Sequence, residues 1–573
     1  MTALPGMTIP PDQAQRLQAS SDMLRQGRRE EAIALLRSLV RDAPKLAPAQ
    51  RLLGVGLSDV GDLMGAEVAF RAAIAADPSM ILAYVGLGET LRMLDRGTEA
   101  IELLAPLVTP QTTDLNLLTY FGFALQSVGR WDEALVWLDQ AVKTSSFSAV
   151  AEHNLASALA DLSRPADAEA AARRAFAKGL DAPETWLVLA RTLEAQDRPE
   201  EAEAAYMEAL RARPGYSDVI GDLSKRVWVR TGDARAAEAV LDEALARDRS
   251  NPALFVHKAK LKEFAGDPAG AAEALDRALQ LSADPMLHVA VAQLAVGSDP
   301  ETAMYHAQRA FALRPDNYAV IAALCKARLA LGHADEAVAL AEILTERQPW
   351  DQYALALLAT AWRLRGDPRY REIYDYEHWV RSFELSPPPG WSSLPAYLAD
   401  LEAELEPLHP FRGHPVGQSV RHGSQTRADL KNARTPALKA FTQAIDAPIR
   451  AYMTAIGEGS DPLRRRKTGE YRLDGVWSVR LRPGGFHVDH VHHRGWLSSA
   501  FYVSLPEAVE SGREGWLKFG EPGVPTAPVL GSERFERPVP GKLVLFPSYM
   551  WHGTVGFSGD QKRLSIAFDV VPA

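Results

Sequence analysis

A period of 34 residues runs through the first two thirds of the chain and restricts what it can fold into. Pro44 and Pro78 close two similar segments 34 residues apart, Pro315 and Pro349 close two more at the same spacing, and Pro214 stands five periods beyond Pro44. Before Pro214, the positions Trp186, Leu189, Ala190, Leu193, Ala202, Tyr206 and Ala209 mix large and small side chains, and Leu53, Gly54, Leu57, Ala66, Phe70 and Ala73 repeat the mixture before Pro78. Small residues at helical spacing let two helices cross closely, and a proline cannot continue the second helix. A unit of this length cannot bury its apolar face alone, so the units must stack on one another.

The pattern resembles the tetratricopeptide repeat, a helix–turn–helix unit of about 34 residues, and about ten such units fit between Pro11 and Gly366. The resemblance implies an all-α superhelix over residues 11–366 with a concave groove, in which a peptide or protein is the expected partner. The period stops after Gly366. Consecutive prolines in Ser386-Pro387-Pro388-Pro389-Gly390-Trp391 cannot continue a helix, which predicts a linker over 367–392. One helix is expected from Leu394 to Leu408 and another from Pro436 to Ile456. Beyond Gly475 the texture changes to short strand-like runs: Val476 to Leu481, Leu497 to Leu505, Trp516 to Phe519, Leu543 to Phe546 and Leu564 to Val570. Strands parted by Gly and Pro, with no helices between them, predict a double-stranded β-helix, or jelly roll, with a few flanking helices over 393–573. The expected fold class is therefore multidomain.

Composition excludes several alternatives. The 573 residues exceed what one core organises. A net charge of −10 speaks against a nucleic-acid binder, and no apolar run reaches membrane-spanning length. The opening Met1-Thr2-Ala3-Leu4-Pro5-Gly6 lacks a basic stretch followed by an apolar one, so no secretory signal is expected. Cys325 is the single cysteine, which rules out an internal disulfide and any cysteine-based zinc or iron–sulfur site and fits a reducing cytoplasm.

The chemistry concentrates near the C-terminus. His487-Val488-Asp489-His490-Val491-His492-His493 precedes an apolar run, and His552 and Arg563 follow. Three protein ligands on one face with open positions opposite is the arrangement of a non-haem Fe(II) site. Two pairs compete for two of those places, His487 with Asp489 and His490 with His492, while His552 supplies the third. On a regular strand the two pairs point to opposite faces, so only one can serve. Arg563 lies 11 residues beyond His552 with Ser565 on the same strand face. Its guanidinium can fork onto a carboxylate with the hydroxyl in support, and Tyr502 on a facing strand can donate its phenol to the same group. That carboxylate is expected to be the far end of 2-oxoglutarate, with O₂ as co-reactant.

The runs Ser419-Val420-Arg421-His422-Gly423-Ser424-Gln425-Thr426, Gly484-Gly485-Phe486-His487 through His492, and Gly495-Trp496-Leu497-Ser498-Ser499-Ala500-Phe501-Tyr502 together resemble a bacterial family of tetratricopeptide proteins that end in a 2-oxoglutarate/Fe(II) oxygenase domain. Leu545-Phe546-Pro547-Ser548, His552-Gly553-Thr554 and Arg563-Leu564-Ser565 extend the likeness. The resemblance implies that the His-x-His before the Ser-Ser-Ala strand takes the ligand place, which favours His490 and His492. It also implies a dioxygenase that hydroxylates a peptide or protein side chain recruited by the repeats, using Fe(II), 2-oxoglutarate and O₂. The alternatives are an interaction scaffold whose barrel binds metal without catalysis, and a metal-dependent isomerase or hydrolase on a cupin-like barrel. A hydrolase has no need of Arg563.

Overall fold

The computed structural model describes residues 9–573, so the opening residues read for a secretory signal lie outside the described ones. The chain divides into two compact units, one comprising residues up to 162 with 173–180, the other 163–172 with 181–573. In the first, helices alternate in short antiparallel pairs: Pro11–Arg25 with Arg29–Asp42, Ala47–Asp59 with Leu63–Ala76, Ile81–Met93 with Gly97–Leu104, and Leu115–Ser127 with Trp131–Thr144. The small residues do the work expected of them. A Cβ on Gly54 would stand 2.9 Å from the Phe70 ring, so only a glycine lets these two helices approach. Pro44 and Pro78 each follow the end of a second helix.

The second unit continues the pairs from Pro183–Glu194 with Pro199–Ala212 to Tyr318–Ala330 with Ala334–Arg347, and closes them with Gln352–Arg365. Nine strands follow: β1 Arg381–Glu384, β2 Val420–Gln425, β3 Tyr471–His487, β4 Leu497–Ser504, β5 Leu517–Phe519, β6 Arg534–Glu536, β7 Lys542–Pro547, β8 His552–Thr554 and β9 Arg563–Pro572. They form a six-stranded antiparallel sheet in the order β1-β7-β4-β9-β3-β2 and a three-stranded one in the order β6-β5-β8. Residues 367–392, expected as a linker, contribute β1 to the edge of the large sheet before the prolines begin.

Strands β7 and β9 read as near-continuous apolar runs because both of their faces are covered. Helix Pro436–Ala444 packs on the large sheet through Phe441, whose ring lies 5.0 Å from Phe501 and 6.2 Å from Phe568. The single helix expected over 436–456 is two, parted at Ile445. Pro448 stands in the first turn of the second, where its missing N–H costs nothing.

Within the second unit one apolar core runs from Ile321 on the repeats through Tyr374 to Val570 on β9. Polar bonds tie the same surfaces: Trp551 donates its indole N–H to Thr360 Oγ1 at 2.9 Å, and Arg363 donates to the Gly520 carbonyl at 2.7 Å. The last repeats and the sheets therefore share their interior.

Candidate metal and oxoacid site

Strand β3 ends at His487, and the chain then turns irregularly toward the small sheet. His490 is bridged to His552 on β8 by two backbone hydrogen bonds, His490 N–H to His552 O at 2.9 Å and His552 N–H to His490 O at 3.1 Å. The expectation of opposite faces assumed a regular strand through residue 492. The turn after His487 removes that premise and brings His490 and His492 to one place with His552. One nitrogen from each of the three rings lies within 4.8 Å of the others.

Each ring is oriented by its other nitrogen. Nδ1 of His490 lies 2.8 Å from the Val488 carbonyl and Nδ1 of His552 lies 2.9 Å from the Met550 carbonyl. A carbonyl oxygen only accepts, so both Nδ1 atoms carry the proton and both Nε2 lone pairs are left. Nδ1 of His492 lies 2.6 Å from the Asp569 carboxylate, with Ser498 Oγ at 3.1 Å. This arrangement, three imidazoles each donating Nδ1–H to an acceptor, is the support that metal-binding histidines require. Burial holds His490 down at about 3 and His552 well below the ordinary histidine range, so the rings are neutral and able to donate electron pairs.

The other pair is differently engaged. His487 Nδ1 lies 2.9 Å from Ser419 Oγ, which is also 3.3 Å from His490 Nε2. Asp489 Oδ2 accepts from the Lys518 ammonium at 2.7 Å, while burial lifts its carboxyl to about 6.

On β9, Arg563, Ser565 and Asp569 share one face by strand alternation. Arg563 is 2 % exposed. It donates to Ser565 Oγ at 3.3 Å and lies 5.1 Å from the centroid of the Tyr502 ring. No carboxylate pairs with it among the described residues. Its Nε and the Tyr502 phenol oxygen are both buried without a hydrogen-bond partner, and burial pushes that phenol up to about 12. A buried guanidinium with unfilled donors beside a protonated phenol suits a carboxylate ligand.

The sequence assigned no role to Asp569, nor to Ser419 and Ser498, which stood within the runs that carry the resemblance. The signal for Asp569 was its place six residues beyond Arg563 on the same strand face. Nothing local shows what the two serines touch, since their partners come from other elements.

Known proteins extend this description. Residues 475–569 match a family model described as "Putative 2OG-Fe(II) oxygenase", and residues 51–111, 153–217 and 298–361 match tetratricopeptide models. No curated protein matches the chain. Among solved structures, the chain is similar to PilF of Pseudomonas aeruginosa at 17% identity, covering 35% of this chain and 92% of that one with a TM-score of 0.31. It is also similar to PilW, a type IV pilus biogenesis factor, at 17% identity over 37% of this chain and 97% of that one with a TM-score of 0.34. At these scores the likeness carries no functional weight. The chain carries tetratricopeptide repeats in its N-terminal and middle regions and, at its C-terminus, an oxygenase domain of the 2OG-Fe(II) kind that the family model describes.

Proposed function

We propose that the protein is a 2-oxoglutarate- and Fe(II)-dependent dioxygenase that hydroxylates a side chain of a peptide or protein recruited by its repeats. The observation that carries this reading is the pairing of three imidazoles, each oriented through Nδ1, with a buried arginine that lacks a carboxylate. His490, His492 and His552 would hold the iron through Nε2. Arg563, Ser565 and Tyr502 would hold the far carboxylate of 2-oxoglutarate. When bound, iron supplies the oxidative chemistry by which 2-oxoglutarate and O₂ become succinate and CO₂ while one oxygen atom enters a substrate C–H bond.

The chain's own contribution is geometric and electrostatic. Asp569 and the Val488 and Met550 carbonyls fix the rings, so metal binding needs little reorganisation. The buried guanidinium selects a dianionic oxoacid by its fixed fork, and the apolar walls contributed by Phe546 and Phe519 keep water from the site. A hydrolase or isomerase would leave Arg563 without a role.

Purified protein supplied with Fe(II), 2-oxoglutarate and O₂ is expected to form succinate, and peptides from an extract incubated with it should gain one oxygen atom in mass spectra. Iron binding without succinate under any condition would instead support a non-catalytic scaffold.

A further inference from the structure

A cavity of about 380 Å³ lies between the repeats and the segment that leads into β2. Four cationic side chains line it, Arg191, Lys225, Arg226 and Arg427, against two carboxylates, Glu194 and Asp222, in a chain whose net charge is −10. The carboxylates are committed: Asp222 accepts from Arg191 at 2.7 Å and Lys225 at 3.1 Å, and Glu194 accepts from Arg226 at 2.7 Å. Arg427 has no ion pair among the described residues. Its guanidinium rests 4.3 Å from the centroid of the Phe411 ring, and burial lowers its pKa. A half-buried guanidinium held over an aromatic ring, with no carboxylate paired to it, is a receptor for an anion.

The charge extends along the repeats. Arg191 and Lys225 are one period apart on the first helices of successive pairs, and Lys260 and Lys326 stand on first helices further along. Neither Lys260 nor Lys326 forms an ion pair with a carboxylate among the described residues, and both, with Arg421, stand near enough to the exposed Glu263 side chain to favour its charged form. Along the other wall, Gln418 lines the cavity and the next residue is Ser419, whose hydroxyl touches His487 and His490. The cavity wall is thus continuous in chain with the edge of the metal site.

We infer that this cationic cavity seats an acidic segment of the protein substrate, its Asp or Glu carboxylates on Arg427 and the lysine row, and so delivers the neighbouring residue to the histidine cluster. The inference rests on the oxygenase reading for its purpose, but the binding itself needs neither iron nor 2-oxoglutarate. A peptide is favoured over a small anion because the cations are spread over several repeats, farther apart than one small molecule reaches.

The test is fluorescence anisotropy on the full metal-free chain with a labelled alternating Glu–Ala peptide, its Gln–Ala counterpart and a labelled oligothymidylate. The Glu–Ala peptide should bind, weaken with salt, and lose about tenfold in affinity on Arg427→Gln, with partial recovery in Arg427→Lys. If Arg427→Gln does not fold, Lys225→Gln, whose side chain is 40 % exposed, carries the same expectation. Equal binding of the Gln–Ala peptide, tighter binding of the oligothymidylate, displacement by free glutamate at equimolar concentration, or indifference to both substitutions would overturn the inference. Succinate formation without peptide binding leaves the oxygenase reading standing and sinks this one; peptide binding without succinate does the reverse.

Discussion

At the residue scale, the side chain that would decide the quality of the proposed metal site is one given no place among its ligands. Asp569 anchors His492 through two contacts, at 2.6 and 2.8 Å, and also accepts from Ser498 at 2.8 Å. Asp569→Ala frees the ring to rotate, and Fe(II) affinity measured by anaerobic titration is expected to fall by roughly 10- to 100-fold. Arg563→Ala should leave iron binding intact and raise the apparent 2-oxoglutarate constant at least tens of fold, since losing one partner of a buried charged pair costs about 2–5 kcal/mol. Unchanged 2-oxoglutarate dependence would remove Arg563 from the oxoacid site. A third prediction concerns stability. His409 is 2 % exposed, with Nδ1 3.0 Å from Ser424 Oγ and Nε2 3.0 Å from Ser478 Oγ. Ser478 spends its proton on the Ser565 carbonyl at 3.1 Å, so it accepts from Nε2–H and Ser424 donates to Nδ1. Protonation breaks that pattern, and burial holds the ring down at about 4, against about 6.5 in an unfolded chain. The unfolded state therefore takes the proton first as pH falls. Stability is full above pH 6.5 and drops by up to about 3 kcal/mol between 6.5 and 4. Denaturant titrations across that window should show a shallower pH slope in His409→Gln than in the parent.

At the element scale, the turns of the repeats show how a period is enforced. Gly27, Gly61, Asp95, Gly129, Ser163 and Asp197 follow one another every 34 residues, and each has a positive φ, from 54° to 83°. Every one sits between the two helices of a pair, where the left-handed conformation reverses the chain. Glycine adopts it freely, whereas Ser163 at φ 54° carries strain. Ser163→Gly should therefore stabilise the array by about 0.5–1 kcal/mol, seen as a higher denaturation midpoint; a lower midpoint would mean that the serine's restriction of the unfolded chain outweighs the strain. Helix signals were equally legible in the barrel's flanks, apart from the break that Pro448 imposes. The short strands β6 and β8 were not, because Arg534–Glu536 and His552–Thr554 lack the apolar run that marked Trp516 to Phe519.

At the scale of the whole molecule, the shared interior of the second unit sets where the chain can be cut. Tyr353 stacks on His493 at 4.8 Å, Gln352 N–H donates to the His493 carbonyl at 2.9 Å, and Tyr374 donates to the Tyr549 carbonyl at 2.8 Å. A fragment beginning at Tyr374 strips the cover from Trp551 and its neighbours and exposes a contiguous apolar face. Such a fragment is expected to lack cooperative thermal unfolding and near-ultraviolet dichroism, whereas one beginning at Asp316, which keeps the repeats that enter the common core, should show both. Native-like unfolding of the shorter fragment would show that the repeats only lean on the sheets.

The residues by themselves determined the repeat, because its period is local: small residues, a turn and a proline recur at fixed distances and need nothing from elsewhere. They also marked His490, His492, His552, Arg563, Ser565 and Tyr502 as chemistry-bearing, since such side chains cluster near strand-like runs. Only the tertiary structure decided which of these meet. The turn after His487 and the bridge to β8 gather three imidazoles from segments more than fifty residues apart, and Asp569 reaches them from β9. Asp489, adjacent in sequence, is drawn instead to Lys518. The cationic cavity was invisible for the same reason, since its walls are the repeats around Arg191 to Val229 and the segment Phe411 to Arg427, joined by the hydrogen bond from Trp228 to the His414 carbonyl at 2.9 Å. Local spacing encodes local elements, whereas a site assembled across elements exists only once the core that aligns them has formed.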